Sequence, residues 1–403
     1  MSFNKDPSAS WLTKLNFLWM SLSSEPFVAL YALLPFILAK DLKATALQIS
    51  LFMAIKPTLS VFSYYWHVFI QTKHTNLKKH LMLAWALSFI PFLIYPPLKN
   101  FGYCLLAASF YQLFSKAAMP PFYEICRQNL EAKERQKLIS YTYLFSFLLS
   151  ALLGLFFGKV LDKNPGNWKI ASALFSLMAL TSLYVQNKLL FKPASQSPFS
   201  ERKHHLLAPI KQSISLLNSS KEFKTFQIGF MIGGSALMFI GPALSIFYAD
   251  TLELSHKSYT YARYIFMSLG IIGSTPLWKK AVERYSLNQL IPWISLIFGI
   301  FPLVVIFSYF HKPILNSAFF LYGIAQAGSH LIWNLSGTVF AHDQDSNPYT
   351  ALNILMQGLR GCIAPILGGF FTYLFGPLVV LVLGSILAFT SVWVMLKRQS
   401  KIS

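Results

Sequence analysis

Carboxylates are the scarcest chemistry in this sequence. Its 403 residues hold 14 Asp and Glu against 34 Lys and Arg, and charged residues of both signs make up only 12% of the chain. A soluble domain carries roughly 25% charge, so a soluble globular class is excluded. Cysteine is nearly absent too. Cys104, Cys126 and Cys362 all fall in apolar stretches, with no CxxC pair and no disulfide framework. There is no G-x-x-x-x-G-K-[ST] phosphate loop, which argues against direct ATP hydrolysis. There is no H-E-x-x-H or Cys/His cluster for zinc, and no Ser/His/Asp set is recognisable. No cofactor, no metal and no enzymatic role are therefore expected, and Asp343 and Asp345 read as loop charges.

Apolar runs fill the chain instead. Hydrophobic residues make up 55% of it and the mean hydropathy is +0.50. A helix needs roughly 20 apolar residues to cross a bilayer. Twelve runs qualify, at about 13–39, 46–70, 81–98, 102–125, 139–160, 168–189, 224–249, 258–280, 288–309, 314–340, 350–373 and 376–396. Helices satisfy their own backbone hydrogen bonds in lipid, whereas barrel strands would be short and alternating. The expected fold class is an all-α integral membrane protein of twelve transmembrane helices. The first run is too long for a signal-peptide core and lacks a small-residue cleavage site, so it is kept as the first helix. Trp11, Trp66, Trp168, Trp278 and Trp393 fall near run ends, where an interfacial belt places them.

The net charge of +20 would suit nucleic acid, but its distribution points to a bilayer. With the N-terminus inside, the cytoplasmic segments hold 22 Lys and Arg, the opposite loops eight, and four are intramembrane. This positive-inside bias places both termini in the cytoplasm. The heavy use of Phe and Lys is compatible with an AT-rich bacterial genome, and the expected location is a bacterial inner membrane. The stretch from Phe191 to Lys221 is the one long polar interruption, and its Arg202, Lys203, His204 and His205 read as a topology determinant. It divides the chain into bundles 1–190 and 222–403, joined by a linker at 191–221.

The two halves echo each other at an offset of about 212–214. Trp66, Gln71 and Asn76 are spaced like Trp278, Glu283 and Asn288. Gln112, Ser115 and Lys116 are spaced like Gln326, Ser329 and His330, and Gly154 corresponds to Gly368. With twelve helices, a central cytoplasmic loop and this half-repeat, residues 13–397 resemble the major facilitator superfamily of secondary transporters. The family's loop motif, G-x-x-x-D-R-x-G-R-R, is poorly kept in the stretch from Trp66 to His74, where Gln71 stands near the Asp position. The second-half copy is closer, with Glu283 and Arg284 for Asp-Arg. Gly361, Pro365, Gly368 and Gly369 look like the family's G-x-x-x-G-P-x-x-G-G pattern. The resemblance implies two pseudo-symmetric six-helix bundles working by alternating access, and a conformational latch at Glu283 and Arg284. It also implies a central cavity lined by helices 1, 4, 7 and 10 and flanked by 2, 5, 8 and 11.

Every intramembrane charge falls on one of those helices: Glu25 on 1, Lys56 on 2, Lys116 on 4, Arg263 on 8 and Arg360 on 11, with His330 on 10. A mid-bilayer charge costs about 3 kcal/mol or more unless it faces a partner, a wet cavity or a substrate. One Glu cannot neutralise four cations, so the expected cargo is a small-molecule anion. Arg360 is the leading candidate, since a guanidinium binds carboxylate or phosphate bidentately. Gln357 and Asn353 lie on roughly the same helical face. Lys116 and His330 hold matching positions of the two halves, and Lys56 lies at similar depth. Arg263, flanked by Tyr259, Tyr261 and Tyr264, either guards the outer entrance or snorkels to the interface. Glu25 either holds Lys56 or Lys116 in an ion pair or carries a proton. The expected function is secondary transport of a carboxylate or phosphate ester, coupled to a proton, sodium or a counter-substrate, by a monomer in the lipid bilayer. A lysophospholipid or lipid transporter of the same fold and a non-transporting membrane sensor or scaffold are the alternatives.

Overall fold

The computed structural model describes residues 7–72, 77–95, 100–190, 216–217, 220–341 and 346–399. Among these there is no strand, and twelve helices account for nearly all of them. The helices are α1 (Pro7–Asp41), α2 (Ala46–Thr72), α3 (Leu77–Leu93), α4 (Phe101–Ala117 and Met119–Asn129), α5 (Ala132–Lys163) and α6 (Asn167–Leu180 and Ser182–Asn187). Then follow α7 (Lys221–Ile246), α8 (His256–Tyr261 and Met267–Arg284), α9 (Leu287–Phe307) and α10 (Ile314–Ala341). The last helical stretch, Asn347–Gln399, is divided at Gly376 into α11 (347–375) and α12 (377–399). Gly376 has φ +80°, a left-handed conformation that glycine adopts freely, and Pro377 then starts α12 with its fixed φ.

Five described stretches are long and apolar enough to cross a membrane by length and composition alone: Ser8–Asp41, Asn167–Asn187, Lys221–Thr251, Leu287–Phe307 and Pro348–Gln399. The others carry mid-span polar residues, such as Gln326, Ser329, His330 and Asn334 in α10. Some helices outrun their apolar segments. The apolar run of α5 begins near 139, but the helix starts at Ala132, because hydropathy marks depth in lipid and not the extent of backbone hydrogen bonding. Lys73, His74, Asn76, the side chains of Trp66 and Gln71, Arg202 to His205, Asp343 and Asp345 lie outside what is described.

The chain divides into two compact units. One comprises residues 1–34 and 58–202; the other comprises 35–57 and 203–403. The far end of α1 and the first half of α2 therefore belong by contact with the C-terminal bundle.

In the first unit, α3 packs chiefly on α4 and α6. Phe27 of α1 meets Phe89, Phe92 and Tyr111 edge-on at 5.3, 4.8 and 4.8 Å between ring centroids. The Trp85 indole donates to the Ala179 carbonyl at 3.0 Å, satisfying a buried donor and fixing α3 on α6. At the end that bears the N-terminus, Lys14 pairs with Glu134 at 2.7 Å and Asn129 donates to Thr13 at 2.9 Å.

In the second unit, glycines set the helix spacing. Lipid tails are as apolar as leucine, so burial alone does not join membrane helices; close van der Waals approach does. At the α8–α10 crossing, a Cβ on Gly270 would stand 3.1 Å from the Gly323 Cα, and a Cβ on Gly323 would stand 3.1 Å from the Gly270 Cα. A Cβ on Gly368 of α11 would similarly run into the Phe239 backbone of α7. The Trp278 indole donates to the Ile324 carbonyl at 2.8 Å and lies in the space opened by Gly328.

Candidate functional site

Arg360 sits on α11 with 7% of its surface exposed. Its guanidinium lies 4.2 Å above the Phe230 ring of α7, and Nη1 donates to the Phe230 carbonyl. That ring is itself stacked on Trp333 of α10 at 5.1 Å. The guanidinium fills the notch left by Gly234, where any Cβ would overlap it. Nε is buried with no hydrogen-bond partner, and no carboxylate reaches the group among the described residues.

The residue after it, Gly361, packs directly against Pro57 of α2. Lys56 is the residue before Pro57 on α2. Lys56 is exposed from the protein and within electrostatic reach of His330 on α10, which is exposed as well. Gln357, one turn before Arg360, is exposed. The fold thus gathers Lys56, His330, Gln357 and Arg360 in one unit. Asn353 does something else: it accepts from Gln227 and donates to Ser336 at 2.7 Å, joining α7, α10 and α11 in a buried chain.

Arg263 lies on a π-helical turn, Ala262–Phe266, inserted in α8. Such turns displace a side chain from its regular register and are frequent at functional sites. Nη1 donates to the Tyr259 hydroxyl at 2.9 Å, and Tyr264 and Tyr322 lie within electrostatic reach. Gln326 donates to Tyr322 at 2.6 Å. The arginine is half-buried among phenols, so its side chain is anchored inside this unit.

In the first unit Glu25 is 8% exposed. Its carboxylate accepts from Ser146 and Ser150, one turn apart on α5, and Tyr111 stands nearby. Among the described residues no ion pair joins it to Lys116. Lys116 itself is exposed, without a described partner, in the last turn before α4 breaks at Ala118. Pro120 and Pro121 have no N–H to donate back to the Lys116 and Ala117 carbonyls, so this helix end keeps its negative dipole character, which suits a cation.

Residues 20–365 match the Major Facilitator Superfamily. The chain belongs to that superfamily. Solved transporters share its fold. A mutant form of the nucleoside transporter NupG superposes with a TM-score of 0.72 at 14% identity, covering 96% of this chain and 99% of that one. A POT family transporter in complex with 5-aminolevulinic acid gives 0.71 at 13% identity, covering 100% and 98%. A bacterial homologue of the human lysosomal transporter Spinster gives 0.62 at 13% identity, covering 98% and 99%. No curated protein matches by sequence. The molecule is a multi-pass MFS transporter.

Several partners in this MFS protein escaped sequence reasoning. Ser146 and Ser150 are spaced four apart on α5, a pattern that signals one helical face but not what the face holds. Gly233-Gly234 in α7 signals close approach, but only packing reveals that Gly234 makes room for Arg360 and that Gly233 lies against Ser295. Gln112 of α4 hydrogen-bonds Tyr31 of α1, whereas Gln326, its match in the half-repeat, bonds Tyr322 one turn away on its own helix. Glu283 and Arg284 are exposed at the end of α8 and form no ion pair among the described residues. Close by, Asn288 donates to the Glu222 carbonyl at 3.1 Å and accepts on its own carbonyl from Gln399 at 2.6 Å.

Proposed function

We propose that this transporter moves a small organic anion, a carboxylate or a phosphate ester, by alternating access. The observation that carries the reading is Arg360: a guanidinium buried within a membrane-spanning helix whose described partners are a carbonyl and an aromatic ring. An uncompensated charge at that depth costs about 3 kcal/mol or more, and an anionic cargo offsets that cost when it binds. Lys56 adds positive charge in the same unit, and His330 and Gln357 add hydrogen-bond donors. Lys116 is the cation we assign to cargo recognition in the N-terminal bundle. Arg263, tied to its tyrosines, is assigned to cargo recognition nearer the end of the helices opposite the termini.

Glu25 is the group we assign to proton coupling. Two serine hydroxyls hold its carboxylate, so it gains or loses a proton without dismantling an ion pair. Glu283 and Arg284 are the assigned conformational latch. The positive-inside bias supports cytoplasmic termini and a bacterial inner membrane, with bundles at 1–190 and 222–403 around the 191–221 linker, acting as a monomer.

The test is uptake into proteoliposomes under imposed proton and sodium gradients. The panel holds labelled organic acids, phosphate esters, sugars, amines and lysophospholipids. Saturable uptake of acids or phosphate esters, abolished by Arg360→Ala and Lys116→Ala, is the expected result. Flux confined to neutral or cationic compounds would refute the anion assignment. No flux from folded protein under any gradient would refute transport and leave a sensor.

A further inference from the structure

The turn joining α1 to α2 and the turn joining α7 to α8 are two copies of one motif. Helix α1 ends with Lys43 at φ 50° and a hydrogen bond from the Ala44 N–H to the Leu38 carbonyl at 2.9 Å. Helix α7, extended by a π turn over Phe247–Thr251, ends with Glu253 at φ 49° and a bond from the Leu254 N–H to the Tyr248 carbonyl at 3.0 Å. Each closure spans seven residues, and a helix end of this kind usually has glycine at its left-handed position; a side chain there is strained, so both turns hold it by other means. The next helices begin alike. The Thr45 hydroxyl accepts from the Gln48 N–H at 3.3 Å, and the Ser255 hydroxyl from the Ser258 N–H at 3.1 Å. Every pair of matched positions is separated by the same offset in sequence.

The two copies grip one another, and both belong to the C-terminal unit. Asp41, the last residue of α1, receives the His256 imidazole on both carboxylate oxygens, at 3.1 and 3.2 Å, with side chains only 8% and 2% exposed. Lys40 donates to the Leu254 carbonyl at 2.6 Å. Lys43 pairs with Asp250 at 3.4 Å in the open. Beneath these, Phe36 stacks on Tyr259 at 4.2 Å and meets the His256 ring edge-on at 5.6 Å.

We propose that these paired turns form a protonation-sensitive clasp, in which the buried Asp41–His256 pair holds residues 35–57 on the C-terminal bundle and releases them when the imidazole loses its charge. Imidazole is the side chain that changes charge in the neutral range. The pair is ionic only while Asp41 is a carboxylate and His256 an imidazolium. Raising the pH removes one charge of a pair that is shielded from water, where each charge depends on the other. The other charged groups around it are Lys40 and Lys43 from the first turn, and Asp250, Glu253 and Lys257 from the second; Tyr259 lies one turn along α8. Lys43 and Asp250 already have each other, and Lys40 is taken up by the Leu254 carbonyl, so the imidazole is the group whose charge the buried pair depends on. Release frees a segment that includes Lys56 and Pro57, so the clasp controls the Pro57–Gly361 contact of α2 with α11 and the approach of Lys56 to His330.

The experiment measures the distance between the turns. Spin labels are placed at Leu47→Cys on α2 and Tyr261→Cys on α8, both exposed, with Cys104, Cys126 and Cys362 replaced by Ala. Pulsed dipolar spectroscopy is recorded in nanodiscs at pH 6 and pH 9. The native pair is expected to show a single short distance at pH 6 and a longer population, several-fold larger, at pH 9. Asp41→Asn is expected to show the long population at both pH values. His256→Gln, which keeps a hydrogen bond but cannot titrate, is expected to show no pH response, and Asp250→Asn to keep the native one. Identical native distributions at pH 6 and pH 9 would overturn the proposal whatever the variants do, as would a pH response that survives in His256→Gln. Asp41→Glu, expected to retain the response, keeps the assignment testable if Asp41→Asn does not fold.

Discussion

Replacing Gly234 with alanine puts a methyl group where the Arg360 guanidinium now lies. A Cβ built there would stand 2.8 Å from Nη2 and closer still to Cζ and Nη1. The guanidinium is the end of a flexible chain, but its surroundings leave little room: it is 7% exposed, and Phe230 holds it from ring and carbonyl. Moving it forfeits a hydrogen bond from a charged donor, worth about 1.5–3 kcal/mol, and a desolvated cation–π contact of about 2 kcal/mol. Keeping it in place forces helices α7 and α11 apart, an overpacking that costs about 1–3 kcal/mol. The cheaper response sets the loss, about 1–3 kcal/mol. If Arg360 meets the cargo, a loss of that size raises the uptake KM by roughly 5- to 150-fold, at about 1.4 kcal/mol per decade. Gly273→Ala is the control, because a Cβ there meets nothing within 4 Å. The assay is initial uptake rate against anion concentration in proteoliposomes, with thermal unfolding measured on the same variants. A double-mutant cycle isolates the contact. In an Arg360→Ala background the notch is empty, so Gly234→Ala should cost almost no stability. An equal loss of stability in both backgrounds, or a native KM in Gly234→Ala, would refute the reasoning.

Other outcomes follow from the same geometry. Gly323→Val should destabilise the protein by several kcal/mol, seen as a large fall in the unfolding midpoint, because its Cβ would enter the Met267 and Gly270 backbone of α8; Gly273→Val should be nearly neutral. Glu25→Gln keeps the contacts with Ser146 and Ser150 but cannot exchange a proton, so proton-driven accumulation should vanish while counterflow exchange of labelled cargo persists. Loss of both would mark the carboxylate as structural. Lys116→Gln should raise KM at least tenfold and leave the unfolding midpoint unchanged, since the lysine is exposed and without a described partner; a fall in midpoint would reveal a packing role. Arg360→Lys should fail to restore uptake, because an ammonium cannot reproduce the planar fork that Phe230 and Gly234 accommodate.

The helices were legible because lipid imposes length and hydropathy on any segment that crosses it, and that requirement is local. The division of α11 from α12 was legible for a similar reason: Gly376-Pro377 is a local break that packing does not override. The two π turns were not, because a single extra residue in a helical turn leaves the apolar pattern almost unchanged. The candidate cations were legible as anomalies, basic residues where apolar ones belong. Their partners were not. Asn353 shared a helical face with Arg360 in sequence but turned to Gln227 and Ser336. Glu25 had two lysines at suitable depth but found two serines on α5. A hydrogen-bond partner is chosen by which helices are neighbours and at what rotation, and no periodicity within one helix encodes that.

By itself the sequence determined that this chain is a helical membrane protein with basic residues set in its apolar runs. That follows from the free energy of placing single residues in or out of lipid, which sums along the chain. Tertiary structure alone decided that Gly234 makes a seat for Arg360, that Pro57 of α2 packs against Gly361 of α11, and that Asp41 and His256 clasp two distant turns. These are contacts between residues more than a hundred positions apart. Their energy depends on distances of a few ångströms between helices, and only close packing in three dimensions sets those distances.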